Sequence, residues 1–465
     1  MKPAGISVIL LLTLFDVSAQ ETDPFAELEA EIQKQSPQAL AREQVEFEVW
    51  KEKYLAEYQQ FRVEHFKRLD DIRDKLISRW GEAEISSESK YVIYDERGDS
   101  KTVLDYENNQ IVISILHEDD ETVSPKQISQ AIQQATESNT KSANRPPPLE
   151  QFTGKTLDKS TLNQLVNKAI ENTETHKPLV ENNLEQLISN EVANIKRQTE
   201  AQKNQVEIML DIVSVESTEV DGSAKNSEDL ITRQKQEIDK EQQARLHRLQ
   251  EQSKKFNNNK VERAELAKKQ ITTFHIPLAE KGDMQKAEPY LKEVIQQSKR
   301  WELQPSLLLS IIHTESYFNP QAKSHIPAFG LMQIVPRSAS IDVNRFLFDK
   351  DEAMAEAYLY SPQQNIETGV AYVHILNSRY LKGINDPLSR MYCTVAAYNT
   401  GSGNVAKTFN KDKSRNINNA LKIINGLSPE QVYQRLVEDL PYEETRNYLN
   451  KVINRKSIYL KVDAI

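Results

Sequence analysis

Residues 304–333, QPSLLLSIIHTESYFNPQAKSHIPAFGLMQ, decide how the second half of this chain is read. Pro305 suits the first turn of a helix, where its missing N–H has no intrahelical partner to lose. Leu307, Leu308, Ile311 and Ile312 follow at the spacing of one buried helical face. Glu315 comes four residues after Ile311 and seven after Leu308, which puts its carboxylate on the buried side at the helix end. Asn319-Pro320 is then expected to stop the helix. A carboxylate turned toward an apolar wall has its charged form disfavoured, so it can hold a proton near neutral pH and deliver it. Spacing alone points more often to a helix-end glutamate paired with a lysine or arginine, because structural ion pairs outnumber catalytic acids. His313 lies two residues before Glu315, on a different side of the helix, and is not expected to be its partner.

Outward from this segment, residues 280–465 have the composition of a helical domain. Short amphipathic runs are separated by turns such as Asn319-Pro320, Ser361-Pro362 and Ser428-Pro429. The preceding 20–279 reads as a separate domain of helices and a small antiparallel sheet, with the boundary near 279–285. Phe47, Trp50, Tyr54, Tyr58, Phe61, Phe66, Leu69, Ile72 and Leu76 recur mostly at three or four residues, which predicts one helical face turned to a core. After Trp80-Gly81 the period changes, and 91–94, 102–106 and 110–116 read as strands, the last two joined by a turn at Glu107-Asn108-Asn109. Residues 118–150 read as a flexible insertion, 156–203 as polar helices, and 207–215 (EIMLDIVSV) as a further strand. The Lys-, Glu-, Gln- and Arg-rich run 228–270 reads as a solvated helix or coil interrupted at Asn257-Asn258-Asn259, with a coiled-coil seam the weaker alternative because no heptad is sustained. Residues 271–278 (ITTFHIPL) read as a closing strand. The fold class expected is α+β, mainly α.

Composition excludes several functions. The chain has 465 residues, 38% hydrophobic and 28% charged, with only 12 glycines and neither a G-x-G-x-x-G nor a G-x-x-x-x-G-K-[ST] segment, which argues against nucleotide chemistry. The net charge of −10 is uneven: 280–465 carries +3 and 1–279 carries −13, so no basic footprint for nucleic acid is found. The 8 histidines form no ligand pair, and the single cysteine, Cys393, sits in an apolar run and reads as a small buried hydrophobe. Neither metal nor cofactor is expected. At the N-terminus, Met1-Lys2, the apolar residues 6–15 (ISVILLLTLF) and the small residues Val17-Ser18-Ala19 read as a secretory signal over 1–19. The mature chain is expected to begin near Gln20 and to be exported to the periplasm. No cysteine follows the cleavage site, so no lipid anchor is expected there.

The segments around Glu315 change its reading. In order come Glu315-Ser316, Ser324, Ala328-Phe329-Gly330-Leu331-Met332-Gln333, Asn365-Ile366 with Gly369, Ala396-Ala397-Tyr398-Asn399-Thr400-Gly401, and Pro441 with Glu444-Thr445-Arg446-Asn447-Tyr448. Over roughly 285–460 this series resembles the catalytic domain of the lytic transglycosylases, which have a goose-type-lysozyme-like fold. The ITTFHIPL segment, the strands of 80–116 and Leu388-Ser389-Arg390 look like the membrane-bound lytic transglycosylase C family. Members of that family are typically lipoproteins, and on this point the present sequence departs from them.

The resemblance implies that Glu315 is a single catalytic acid/base. It implies substrate contacts for Ser324, Gln333, Met332, Tyr398 and Asn399, with Tyr448 and Ser316 as further candidates and Glu444 a weaker one. The implied reaction is non-hydrolytic cleavage of the β-1,4 bond between N-acetylmuramic acid and N-acetylglucosamine in peptidoglycan, leaving a 1,6-anhydromuramoyl end. The implied partners are peptidoglycan glycan strands, with outer-membrane or cell-wall-machinery contacts through the N-terminal domain. Two alternatives stand beside it. A hydrolytic muramidase would need a second carboxylate, with Asp342 or Glu444 the nearby choices, and a non-catalytic peptidoglycan-binding scaffold would need none.

Overall fold

The computed structural model describes residues 37–136, 148–178, 184–214, 223–278, 282–324 and 326–465. The chain divides into residues 1–57 and 58–465. The first unit is described only as the opening turns of helix α1 (Pro37–Trp80). The signal segment, the side chains of Phe47, Trp50 and Tyr54, and residues 137–147 lie outside what is described.

In the second unit, β1 (Lys90–Tyr94), β2 (Ser100–Asp105), β3 (Gln110–Glu118), β4 (Thr173–His176) and β5 (Lys269–Pro277) form an antiparallel sheet of order β1-β2-β3-β5-β4. Asp105 pairs with Gln110, and the hairpin closes on Asn109 at φ 51°, as the Glu107-Asn108-Asn109 turn predicts. Strand β4 has four exposed residues and no alternating apolar face, which is why its sequence reads as helix rather than as an edge strand. One face of the sheet buries Leu104, Ile111, Ile113 and Ile276 against helices α2 (Pro125–Gln134) and α3 (Lys159–Glu171).

Helix α2 corrects part of the expected flexible insertion at 118–150. Ser124 and Gln127 form a reciprocal capping box, and Ile128, Ala131 and Ile132 turn to the sheet. The polar composition of this stretch is that of a short amphipathic helix with one wet face.

Two long helices follow, α4 (Leu184–Ser214) and α5 (Ser223–Asn258). Helix α4 overturns the strand expected at 207–215; Val215 itself lies outside the described residues. Here Val206, Glu207, Ile208 and Met209 are all buried, because α4 is covered by α5 on one side and by the C-terminal helices on another. A helix buried on several sides loses its 3.6-residue signature, and a β-branched run then reads as strand. The pairs Arg245–Gln198, Lys203–Asp239 and Lys235–Glu207 show that α4 and α5 run antiparallel. Asn259 separates α5 from a short helix at Lys260–Ala267, where the asparagine run predicts a break.

Helix α1 is tied to this pair by charge. Arg245 binds Asp70 at 2.8 Å, Arg248 binds Asp71 at 2.7 Å and Asp74 at 2.6 Å, and Arg62 binds Glu241 at 2.7 Å. The expected aromatic face is therefore only partly a core. Tyr58 and Phe66 are buried, Phe61, Leu69 and Leu76 are half-buried, and Ile72 is exposed; Arg62, Asp70 and Arg73 occupy the buried positions between them.

The C-terminal helices α6 (Leu291–Trp301), α7 (Pro305–Ser316), α8 (Pro362–Ile375), α9 (Pro387–Thr400), α10 (Ser402–Phe409) and α11 (Glu443–Tyr459) enclose one apolar core. It runs from Leu308 and Ile312 through Val370 and Val395 to Leu449 and Val452. Cys393 is fully buried within it. The fold is thus α+β and mainly α, with the sheet confined to the N-terminal half. No helix among the described residues is long and apolar enough to cross a membrane.

Candidate active site

Helix α7 begins at Pro305, and the Asp463 carboxylate accepts from the Ser306 N–H at 2.8 Å and from its hydroxyl at 2.7 Å. It ends at Tyr317, φ 53°, followed by Phe318 at φ 65°. Two left-handed residues thus stop the helix just before Asn319-Pro320 and leave Glu315 on the last turn, facing a cleft. The buried side at this point is the floor of that cleft. Burial pushes the Glu315 pKa up to about 8; the Tyr448 hydroxyl works against this, and the charges of Glu444 and Glu88 add to it. His313 turns away and bonds the Tyr459 hydroxyl at 2.8 Å.

The cleft has a volume of about 840 Å³, and Ser324, Gln333, Tyr398, Asn399 and Tyr448 line it together with Glu315. The Tyr448 hydroxyl is buried beside Glu315, and its pKa is raised by burial and by Glu315. The Tyr398 hydroxyl donates to the Met332 carbonyl at 2.8 Å, which fixes its ring beside the acid. The Asn399 side-chain oxygen accepts from the Thr445 hydroxyl at 2.7 Å. Gln333 donates to the Gly330 carbonyl at 2.8 Å, and its own side-chain oxygen is buried without a hydrogen-bond partner. The Ser324 hydroxyl accepts from the Ile326 N–H at 3.3 Å at the cleft edge.

Two of the implied contacts are corrected. Met332 is fully buried and does not line the cleft; its side chain fills the space over Gly369, where a Cβ would come within 2.4 Å of the sulfur. It contributes its carbonyl, through Tyr398, and not its thioether. Ser316 is also fully buried, its hydroxyl donating to the carbonyls of Leu331 at 2.8 Å and Ile312 at 3.1 Å. It ties the helix end to the 329–333 loop. In both cases the motif places the residue near the acid, but the side chain points into the core.

Asn365 is the hub that motif reading left without a role. It is fully buried, donates to the carbonyls of Phe329 and Leu359 at 2.7 Å each, and accepts from the Met332 N–H at 2.8 Å. Gly330, at φ 75°, lies so close that a Cβ would sit 2.4 Å from the Asn365 amide. The N-terminal half also reaches the cleft. Glu88 and Ser89 line it from before β1, and Lys196, Arg197, Glu200, Asn204 and Gln205 line it from α4. No sequence signal marks these residues, because their relation to Glu315 is entirely tertiary. Among the described residues, no group of three His, Cys, Asp or Glu side chains could hold a metal ion.

Residues 292–421 match the family model described as Transglycosylase SLT domain. The chain is 42% identical over 191 residues to membrane-bound lytic murein transglycosylase C of Sodalis glossinidius, covering 41% of this chain and 52% of that protein. It is 44% identical over 174 residues to the protein of the same name from Cronobacter sakazakii, covering 37% and 47%. The chain spans about half the length of the curated relatives it matches. Among solved structures, an inactive variant of lytic transglycosylase Slt from Pseudomonas aeruginosa aligns at 23% identity with a TM-score of 0.30, over 38% of this chain and 25% of that one. The 70 kDa soluble lytic transglycosylase of Escherichia coli aligns at 22% identity and a TM-score of 0.28, over the same shares. Residues 292–421 thus match a transglycosylase SLT domain by sequence, and the matched part of the chain is similar to that of the membrane-bound lytic murein transglycosylases C.

Proposed function

We propose that this chain is a lytic murein transglycosylase that cleaves the N-acetylmuramic acid to N-acetylglucosamine β-1,4 bond of peptidoglycan without water. The observation that carries this reading is Glu315, a carboxyl group whose pKa burial raises to about 8, in the lining of a cleft of about 840 Å³. At neutral pH it is protonated. It donates that proton to the oxygen leaving C1 of the muramic acid as the C1–O bond breaks. The carboxylate so formed takes the proton from the sugar's own C6 hydroxyl as that oxygen closes onto C1. A 1,6-anhydro ring forms, and Glu315 returns to its acid form. Attack from within the same sugar gains from proximity, so the reaction needs no second carboxylate to activate water. Gln333, in the cleft lining, is the amide that contacts the sugar on this reading, and the Tyr448 and Tyr398 side chains line the cleft with the acid.

Of the two carboxylates that the sequence offers a hydrolase, Asp342 is buried, accepts from the Tyr380 hydroxyl at 3.2 Å and does not line the cleft. Glu444 lines the cleft and is the one candidate of that pair for activating water. Mass spectrometry of muropeptides released from purified sacculi separates the readings. Products one water lighter, with anhydro ends, are expected; reducing muramic acid ends would transfer the role of base to Glu444. Retained sacculus binding without release would leave a scaffold. The chain acts, on this reading, after export to the periplasm, with its N-terminal half available to the outer membrane or to cell-wall proteins.

A further inference from the structure

Helix α4 belongs to the part of the molecule outside the SLT match, yet it is fastened to the turn that carries Tyr398 and Asn399. Asn204 donates to the Asn399 carbonyl at 3.1 Å and accepts from the Thr400 hydroxyl at 2.7 Å and the Asn404 amide at 3.5 Å. Thr400 and Asn404 are fully buried, so their ends of these bonds are shielded from competing water. The turn they hold carries Tyr398 and Asn399 and reverses at Gly401, φ 83°. One turn further along α4, Glu207 is buried and binds Arg415 at 2.9 Å as well as Lys235. The residue next to Asn204, the buried Gln205, donates to the Ser338 hydroxyl at 2.5 Å. A helix that served only as a neighbour would not bring its one cleft-facing asparagine into three bonds with the Tyr398–Gly401 turn.

We propose that Asn204 is a positioning residue for catalysis. It holds the turn that sets Tyr398 and Asn399 against Glu315, so the active site is complete only when α4 is docked. This rests on the reading of Glu315 as the acid. A side chain displaced by about 1 Å near reacting atoms costs on the order of 10²-fold in rate.

The test uses the full chain. Asn204→Ala is compared with Thr400→Val, which removes the partner from the other side, with the double variant, and with Lys240→Ala. Lys240 is exposed on α5 and pairs with Glu237 of the same helix, so its loss should leave turnover unchanged. Turnover of muropeptide release is measured beside melting temperature and amide exchange of residues 398–404. Asn204→Ala should lower kcat tenfold or more with KM nearly unchanged, and speed exchange in that turn. The double variant should lose no more than the worse single one, the signature of one shared contact. A folded Asn204→Ala protein with kcat within twofold of wild type would overturn the proposal. So would a rise in KM alone, which would make Asn204 a plain substrate contact. If wild type releases no product, the enzymatic reading has failed; the exchange data still decide, since unchanged protection in Asn204→Ala rules out a positioning role.

Discussion

The C-terminal helices and the α1, α4 and α5 helices of the N-terminal half are held together by different physics. In the C-terminal half, apolar side chains such as Leu308, Ile312, Val395 and Leu449 are fully buried in one continuous core, and polar groups enter it as satisfied hubs such as Asn365. In the N-terminal half, helices α1, α4 and α5 are stitched by Asp70–Arg245, Asp74–Arg248, Arg62–Glu241 and Glu207–Lys235. A close-packed core locates side chains to fractions of an ångström, as an acid catalyst needs. Ion pairs between long helices are more tolerant in geometry and respond to pH.

The largest effect should come from Glu315→Gln, which removes the proton donor while keeping the shape. Muropeptide release should fall by on the order of 10³-fold, with sacculus binding retained; substantial residual turnover would remove Glu315 from the mechanism. In wild type, release should decline as pH rises through about 8, where Glu315 loses its proton. The same raised pKa means the folded state binds more protons than the unfolded one between about 4.5 and 8, so Glu315 erodes stability as pH rises through that window. Glu315→Gln should therefore melt higher than wild type at pH 8, by up to a few kcal/mol, and equal it near pH 4.

Next in size, Asp70→Ala leaves Arg73 and Arg245 buried without their shared carboxylate and should destabilise the helical half by about 3–5 kcal/mol, read by urea melts. Gly330→Ala tests the other half. It forces a Cβ to 2.5 Å from the Leu359 carbonyl at a left-handed φ and should cost about 2–4 kcal/mol, along with activity. If Gly330→Ala were neutral while Asp70→Ala unfolded the chain, the contrast between the halves would be reversed.

Glu207 links them. Burial alone would raise its pKa, but Arg415 and Lys235 hold it at about 2. Its stabilisation is full above about 4.5 and is lost as pH falls from there toward 2, on the order of 3 kcal/mol. Acid titration should therefore release α4 before the C-terminal core melts, and Glu207→Gln should abolish that early step. The smallest effect is expected for Arg248→Ala, whose partly exposed pairs should contribute about 1 kcal/mol or less and vanish in high salt.

These physical differences also decided what could be read from residues alone. Helix α7 was legible because Pro305 opens it and Leu308, Ile311 and Ile312 repeat on one face. Strands β1, β2, β3 and β5 were legible because their apolar residues form short β-branched runs bounded by turns. Residues 207–214 were misread because α4 is covered on more than one side, which erases helical periodicity. The stripe on α1 was half legible, because pattern reading counts Tyr58 and Phe66 as core and cannot see Asp70 and Arg73 burying each other.

At the site, local order along the chain determined that Glu315 ends a helix on its buried side, and that Gly330, Gln333, Tyr398 and Asn399 belong to the same series of motifs. Only the folded chain decided which atoms face the cleft. Met332 and Ser316 turn inward, Tyr398 is aimed by a carbonyl 66 residues away, and Asn204 reaches the Asn399 turn from 195 residues away. Periodicity and motif spacing report on neighbours along the chain, whereas the position and proton affinity of a side chain depend on the groups that three-dimensional packing brings beside it.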